Sequence, residues 1–233
     1  MRIVFAVILG ICFGSFANVL IYRLPRKLSV VFPASHCPEC SHPLKFFDLI
    51  PILSFLIQHG RCRYCKAKID LRYPVVELLC GILFVVMPSP PLAFLAVILL
   101  AISFIDWDTK EIPDSLIIAG ILVGVIANIH IWQNALLGLI AGGLPLFLLD
   151  KISLLIFKKD GFGYGDVKLM AMAGIYVGKE LILTAHFFAL IIGGAFAVFL
   201  LATGRAERGQ YMAFGPFLAM GIIMSILYRT FLG

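Results

Sequence analysis

Apolar runs alternate with short polar breaks along nearly the whole chain. Eight such runs can be marked, at residues 3–22, 75–87, 92–105, 116–132, 136–157, 169–177, 181–202 and 214–227. The first has the roughly 20 residues that cross a bilayer as a helix. The runs at 75–87 and 169–177 fall below the roughly 17 residues of a straight span. Spans there must extend into their flanks, tilt, or thin the bilayer. Pro88-Ser89-Pro90-Pro91 breaks the chain between the second and third runs. Only residues 24–73 form an extended polar stretch. The pattern predicts an all-α polytopic membrane protein of about eight transmembrane helices, with a small polar domain between spans one and two.

Composition strengthens that reading. Of the 233 residues, 61% are hydrophobic and 14% charged. A soluble domain carries roughly 45–50% apolar residues, and its core cannot absorb the excess. Charge then orients the spans. The basic cluster Arg23, Arg26 and Lys27 follows the first run, where a cleaved signal peptide would carry its cations before it. The positive-inside rule therefore puts the N-terminus outside and residues 24–73 in the cytoplasm. Threading eight spans from there leaves only Arg2, Lys179 and Arg229 of the 19 Lys and Arg outside, with Lys151 inside the fifth span. The net charge of +6 is thus explained by topology and lipid headgroups, and nucleic acid is not an expected partner.

The polar stretch holds Cys37-Pro-Glu-Cys40 and Cys62-Arg-Tyr-Cys65, with 21 residues between the pairs. That is close to the spacing of a zinc ribbon, in which each pair clasps one side of a tetrahedral ion. Cys37, Cys40, Cys62 and Cys65 are therefore the expected ligands of a structural Zn2+. A reducing cytoplasm argues against disulfides. His36, His42 and His59 are read as solvated loop residues, and Cys12 and Cys80 as small apolar side chains within spans.

Between spans five and six lies Gly161-Phe162-Gly163-Tyr164-Gly165-Asp166-Val167-Lys168. A carboxylate at a membrane boundary is costly and usually functional. The third span ends in Asp106-Trp107-Asp108, on the same side. Asp106 and Asp166 can therefore face each other across a bundle. Two carboxylates brought together share a proton, giving one base and one acid, as peptide hydrolysis without metal requires. The competing reading makes both ordinary juxtamembrane acids, paired with Lys110 or Lys168. Asp108, Glu111 and Asp114 also compete by spacing; Asp106 lies closest to the span, where desolvation is greatest. Asp114 could cap the fourth span, and Asp150 with Lys151 reads as an inward-facing structural pair. The glycines of the loop, Gly163 and Gly165 above all, would let an extended substrate backbone lie beside Asp166. Lys168 would anchor the start of span six.

These motifs together resemble the type IV prepilin peptidases, of the Gly-x-Gly-Asp class of intramembrane aspartyl proteases. The resemblance runs in order from Gly14-Ser15-Phe16-Ala17-Asn18-Val19, through both cysteine pairs, Arg72-Tyr73-Pro74-Val75-Val76-Glu77, Asp106-x-Asp108 and Gly163-Tyr164-Gly165-Asp166, to Phe214-Gly215-Pro216-Phe217. It implies Asp106 and Asp166 as the catalytic pair. It implies cleavage of the leader from prepilins and pseudopilins at the cytoplasmic face of the bacterial inner membrane, after Gly and usually before Phe. It also implies N-methylation of the new terminus from S-adenosylmethionine, for which no binding residues are legible. Glu77 and the cysteine domain are the location left for that activity. Cleavage-only members of the wider superfamily lack a cysteine domain, which this chain has. The expected organisation is a first helix at 1–23, a four-cysteine domain at 24–74 and a seven-helix peptidase domain at 75–233. A cleavage-only peptidase, and a non-enzymatic zinc-clipped scaffold or transporter subunit, are the alternatives. The oligomeric state is not legible.

Overall fold

The computed structural model describes residues 1–158, 161–205 and 212–231. Its regular elements are all helical: eight α-helices and two single 3-10 turns. Four helical stretches are long and apolar enough to cross a membrane, at Arg2–Arg23, Pro90–Thr109, Ile129–Ile156 and Tyr164–Ala202. The protein is therefore a multi-pass membrane protein. The chain forms two units, Met1–Met87 and Pro88–Gly233.

In the first unit, α1 (Arg2–Arg23) packs on α3 (Arg72–Val86). Gly10 lies against α3 at Cys80 and Gly14 at Glu77, so the two backbones run antiparallel and close. Small residues at such contacts drive helix association in lipid, where the solvent is as apolar as the side chains. α3 reaches back to Arg72 and runs 15 residues, longer at its start than the apolar run but still short of a straight span. The polar stretch hangs from these helices by buried polar groups. Arg23 donates to the carbonyls of Ser29, Val30 and Pro33 at 2.9, 3.2 and 2.7 Å. The Glu77 carboxylate accepts the Ile52 N–H at 2.7 Å, just ahead of the short helix α2 (Leu53–Ile57).

In the second unit, α4 (Pro90–Thr109) is deeply buried: Leu95, Leu99 and Ile102 are wholly covered. It packs mainly on α8 (Gly215–Phe231) and α5 (Asp114–Ala127), while α7 (Tyr164–Ala202) packs on α8, on α5 and most extensively on α6 (Trp132–Phe157). Gly138 of α6 and Gly174 of α7 meet backbone to backbone, with no room for a Cβ on either. The Tyr176 hydroxyl ties α7 to α5 by donating to the Gly120 carbonyl at 2.6 Å.

Counted by span, α7 is two. At Gly178 the backbone takes φ 76° and ψ 175°, a region essentially reserved for glycine. Residues at equal or nearly equal distances on either side of Gly178 meet the same partners. Met170 and His186, eight residues before and after it, both reach Gly142. Phe162 and Gly193 both reach Phe214. The chain therefore doubles back at Gly178. The limbs 164–177 and 179–202 correspond to the expected runs 169–177 and 181–202. His186 Nε2 faces the Gly142 carbonyl without hydrogen-bond geometry and has no partner among the described residues.

Candidate active site

Asp106 sits in the last turn of α4 and is 5% exposed. Asp108, one position beyond Trp107, is exposed. Helical periodicity accounts for the difference: two residues on is a rotation of roughly 200°, onto the opposite face. A carboxylate at a helix C-terminus opposes that helix's dipole. Asp106 is compensated from another helix. Its Oδ2 accepts the Gly215 N–H, at the first residue of α8, at 2.8 Å. A Cβ on Gly215 would stand 2.8 Å from that oxygen, so glycine is what permits the approach.

Asp166 sits in the first turn of α7 and is 8% exposed. Its Oδ2 accepts the Gly163 N–H at 3.2 Å, capping its own helix. Both carboxylates thus lie at helix N-termini, where unpaired N–H groups and the dipole favour negative charge. They are near enough for the charge of Asp106 to act directly on Asp166. The structure therefore brings together two acids 60 positions apart in the chain.

The loop differs from its expected form. α7 begins at Tyr164, so Gly165 lies in the helix, packed against Ile112, and the described non-helical residues ahead of it are 161–163, with Gly163 extended. Capping by Asp166 draws the helix start forward. Lys168 is paired with Asp114, Nζ to Oδ1 2.7 Å, with both side chains exposed. Exposed pairs of this kind contribute little to stability, at most about 1 kcal/mol. Asp150 points inward, but Lys151 does not. The Lys151 ammonium is half exposed, 3.6 Å from Asp150 Oδ2, and donates to the Tyr164 hydroxyl at 2.9 Å.

An aromatic arc links the two acid-bearing segments. It runs from Trp107 through Phe196, Phe217 and Phe214 to Phe162, with ring centroids 6.1, 5.2, 5.9 and 5.1 Å apart in turn. Sequence reasoning gave Gly215, Phe162 and Phe196 no role. Only the aromatic and glycine content of the two motifs hinted at the first two.

In the first unit, the sulfurs of Cys37, Cys40, Cys62 and Cys65 all lie within 4.8 Å of one another. Cys37 and Cys65 are 3.9 Å apart. A tetrahedral zinc with bonds of about 2.3 Å sets its sulfurs roughly 3.8 Å apart, so the four fit that ion. The two pairs form matching knuckles. In each, the first cysteine's carbonyl accepts an N–H from four residues on, Ser41 at 2.8 Å and Lys66 at 3.0 Å, and both donors have positive φ. The Cys65 backbone N–H, the largest influence on the Cys62 thiol, helps pull it down to about 7. The Ala67 N–H favours the Cys65 thiolate, but desolvation and the neighbouring sulfurs push that thiol up to about 12. Four thiolates this close need a cation between them. No histidine joins the cluster among the described residues; His42 instead stacks on Tyr64, centroids 3.6 Å apart. Asp48 braces the second knuckle, accepting from Arg63 at 2.8 Å and Tyr64 at 3.3 Å.

Fold and site define a polytopic, all-helical membrane protein with two buried aspartates at helix ends and a four-cysteine cluster. Residues 8–89 match the Bacterial Peptidase A24 N-terminal domain, and residues 93–198 match the Type IV leader peptidase family. The chain is 32% identical to a prepilin leader peptidase/N-methyltransferase of Pseudomonas putida, over 97% of this chain and 90% of that protein. Proteins with the same description from Myxococcus xanthus and Neisseria gonorrhoeae are 36% and 33% identical. Those matches cover 87% of this chain and 64% of the first protein, and 92% of this chain and 86% of the second. No solved structure matches the chain. The chain belongs to the type IV leader peptidase family, and it is a peptidase.

Proposed function

We propose that this chain is an intramembrane aspartyl endopeptidase that removes the leader from type IV prepilins and pseudopilins and N-methylates the new terminus. The observation that carries the proposal is the pair Asp106 and Asp166. Both are buried, each is held by a backbone N–H, and the charge of Asp106 is felt at Asp166. The names of the relatives supply the substrate class and the methyl transfer.

The pair works as one base and one acid. The ionised carboxylate takes a proton from a water held between the two. The resulting hydroxyl adds to the scissile carbonyl carbon. The protonated carboxyl then gives its proton to the departing nitrogen, the C–N bond breaks, and the leader leaves as a carboxylic acid. The Gly163 and Gly215 N–H groups fix the carboxylates before the substrate arrives, so little reorganisation is left for the reaction. Residues 161–163, non-helical ahead of α7, give the substrate backbone a place beside Asp166. Residues 75–233 hold this machinery. The four cysteines would hold a structural Zn2+ that supplies folding energy to residues 24–74 and takes no part in cleavage. S-adenosylmethionine is the implied methyl donor. The described residues contain no glycine-rich strand–turn–helix to hold it, and no step runs through it. The distribution of Lys and Arg supports a cytoplasmic position for both the cysteine domain and the aspartates in a bacterial inner membrane. By the resemblance, the bond is cut after Gly and usually before Phe.

The test incubates membranes containing the chain with a prepilin and S-adenosylmethionine and weighs the product. Leader loss reports cleavage, and one extra methylene on the mature chain reports methyl transfer. Asp106→Asn and Asp166→Asn should each abolish leader loss while inserting normally. Full cleavage by either variant would end the assignment of the pair.

A further inference from the structure

Asp150 has no role in the proposed chemistry, yet it is a carboxylate buried to 4% exposure within the apolar helix α6. Such a group is expensive there unless it is engaged. Its Oδ1 accepts the N–H of Gly161 at 3.1 Å and that of Phe162 at 3.4 Å. Those are the two residues before Gly163, the N-cap of α7. Gly163 and Phe162 each lead to one member of the aspartate pair. The next N–H along, from Gly163, holds Asp166. The Phe162 ring packs edge-on against Phe214, at 5.1 Å, and the residue after Phe214 donates the N–H that holds Asp106. Gly161 itself is seated on Ser153, one turn along α6 from Asp150.

We propose that Asp150 is a positioning residue for the peptidase reaction, fixing residues 161–163 on α6 and, through Gly163 and Phe162, the relative placement of Asp106 and Asp166. It touches neither substrate nor reacting atoms. Its work is to hold a three-residue segment with little regular structure of its own at a fixed height against α6. What this requires is an acceptor oxygen at one place, and the negative charge is secondary. The inference rests on the proposal that Asp106 and Asp166 form the catalytic pair.

The experiment measures prepilin cleavage in membranes by Asp150→Asn, Asp150→Glu and Asp150→Leu, at matched protein levels, beside wild type and Asp166→Asn. Asn keeps an acceptor oxygen in place and removes the charge. Glu keeps the charge and moves the oxygen by one methylene. A misplacement of about 1 Å costs on the order of 100-fold in rate. Glu and Leu should therefore lose roughly 10- to 100-fold in kcat, with KM within about twofold, while Asn recovers at least about a third of wild-type kcat. Wild-type kcat in the Glu variant, or an Asn variant as impaired as Leu, overturns the proposal. So does a defect confined to KM. Should the Leu variant fail to insert, the contrast between Asn and Glu decides alone. Failure of the underlying reading looks different: wild type leaves prepilin uncut, or Asp166→Asn cuts it normally.

Discussion

Gly215→Ala is the sharpest probe of how Asp106 is held. A methyl group there would sit 2.8 Å from Asp106 Oδ2, 3.1 Å from Cγ and 3.2 Å from Cβ. Unstrained carbon contacts begin near 3.4 Å, so α8 and the carboxylate must separate by about 0.6 Å. The Gly215 N–H bond, now 2.8 Å, then lengthens to roughly 3.4 Å, beyond useful hydrogen-bond range. A bond to a charged group is worth about 1.5–3 kcal/mol. At about 1.4 kcal/mol per factor of ten, kcat for prepilin cleavage should fall roughly 10- to 150-fold. The assay is single-turnover cleavage of a prepilin in membranes, with insertion checked by protease accessibility. Gly194→Ala is the matched control, because a Cβ there meets nothing within 4 Å. Wild-type kcat in Gly215→Ala would refute the reasoning. So would an equal loss in Gly194→Ala, which would make the effect a general one of added bulk.

Two further outcomes are expected. Gly178→Ala forces a side chain into φ 76° and within 2.5 Å of Asn134 Nδ2, and should cost at least about 1–3 kcal/mol, read as a lower unfolding temperature in detergent. Purified protein should carry one Zn2+ per chain. Chelation, or acid that reprotonates the thiolates, should remove it and make residues 24–71 protease-sensitive; a metal-free chain that resists protease equally would show that the knuckles fold without it.

The run of spans was legible because bilayer thickness converts directly into residue count. Even the shortest runs reappear as helices, α3 by borrowing residues from Arg72 onward and residues 169–177 as the first limb of α7. The cysteine cluster was legible because ligand spacing within each pair is local. The burial of Asp106 and exposure of Asp108 follow from helical periodicity and nearness to the apolar run. Local rules misjudged the glycine loop. Gly165 reads as flexible in isolation, but the Asp166 cap extends the helix over it. They also set aside the ion pair of Lys168 with Asp114, whose partners are 54 positions apart.

By itself, then, the sequence determined the spans, their helicity and the metal-ligating pattern, since each depends on the solvent or on residues a few positions away. Tertiary structure decided what depends on approach between distant segments. It doubled α7 back at Gly178, set the Gly215 N–H against Asp106, and gave Asp150 the segment leading to Asp166. Those contacts have no signature in spacing. They exist because glycine backbones let helices close until one helix's unpaired N–H groups meet another segment's carboxylate.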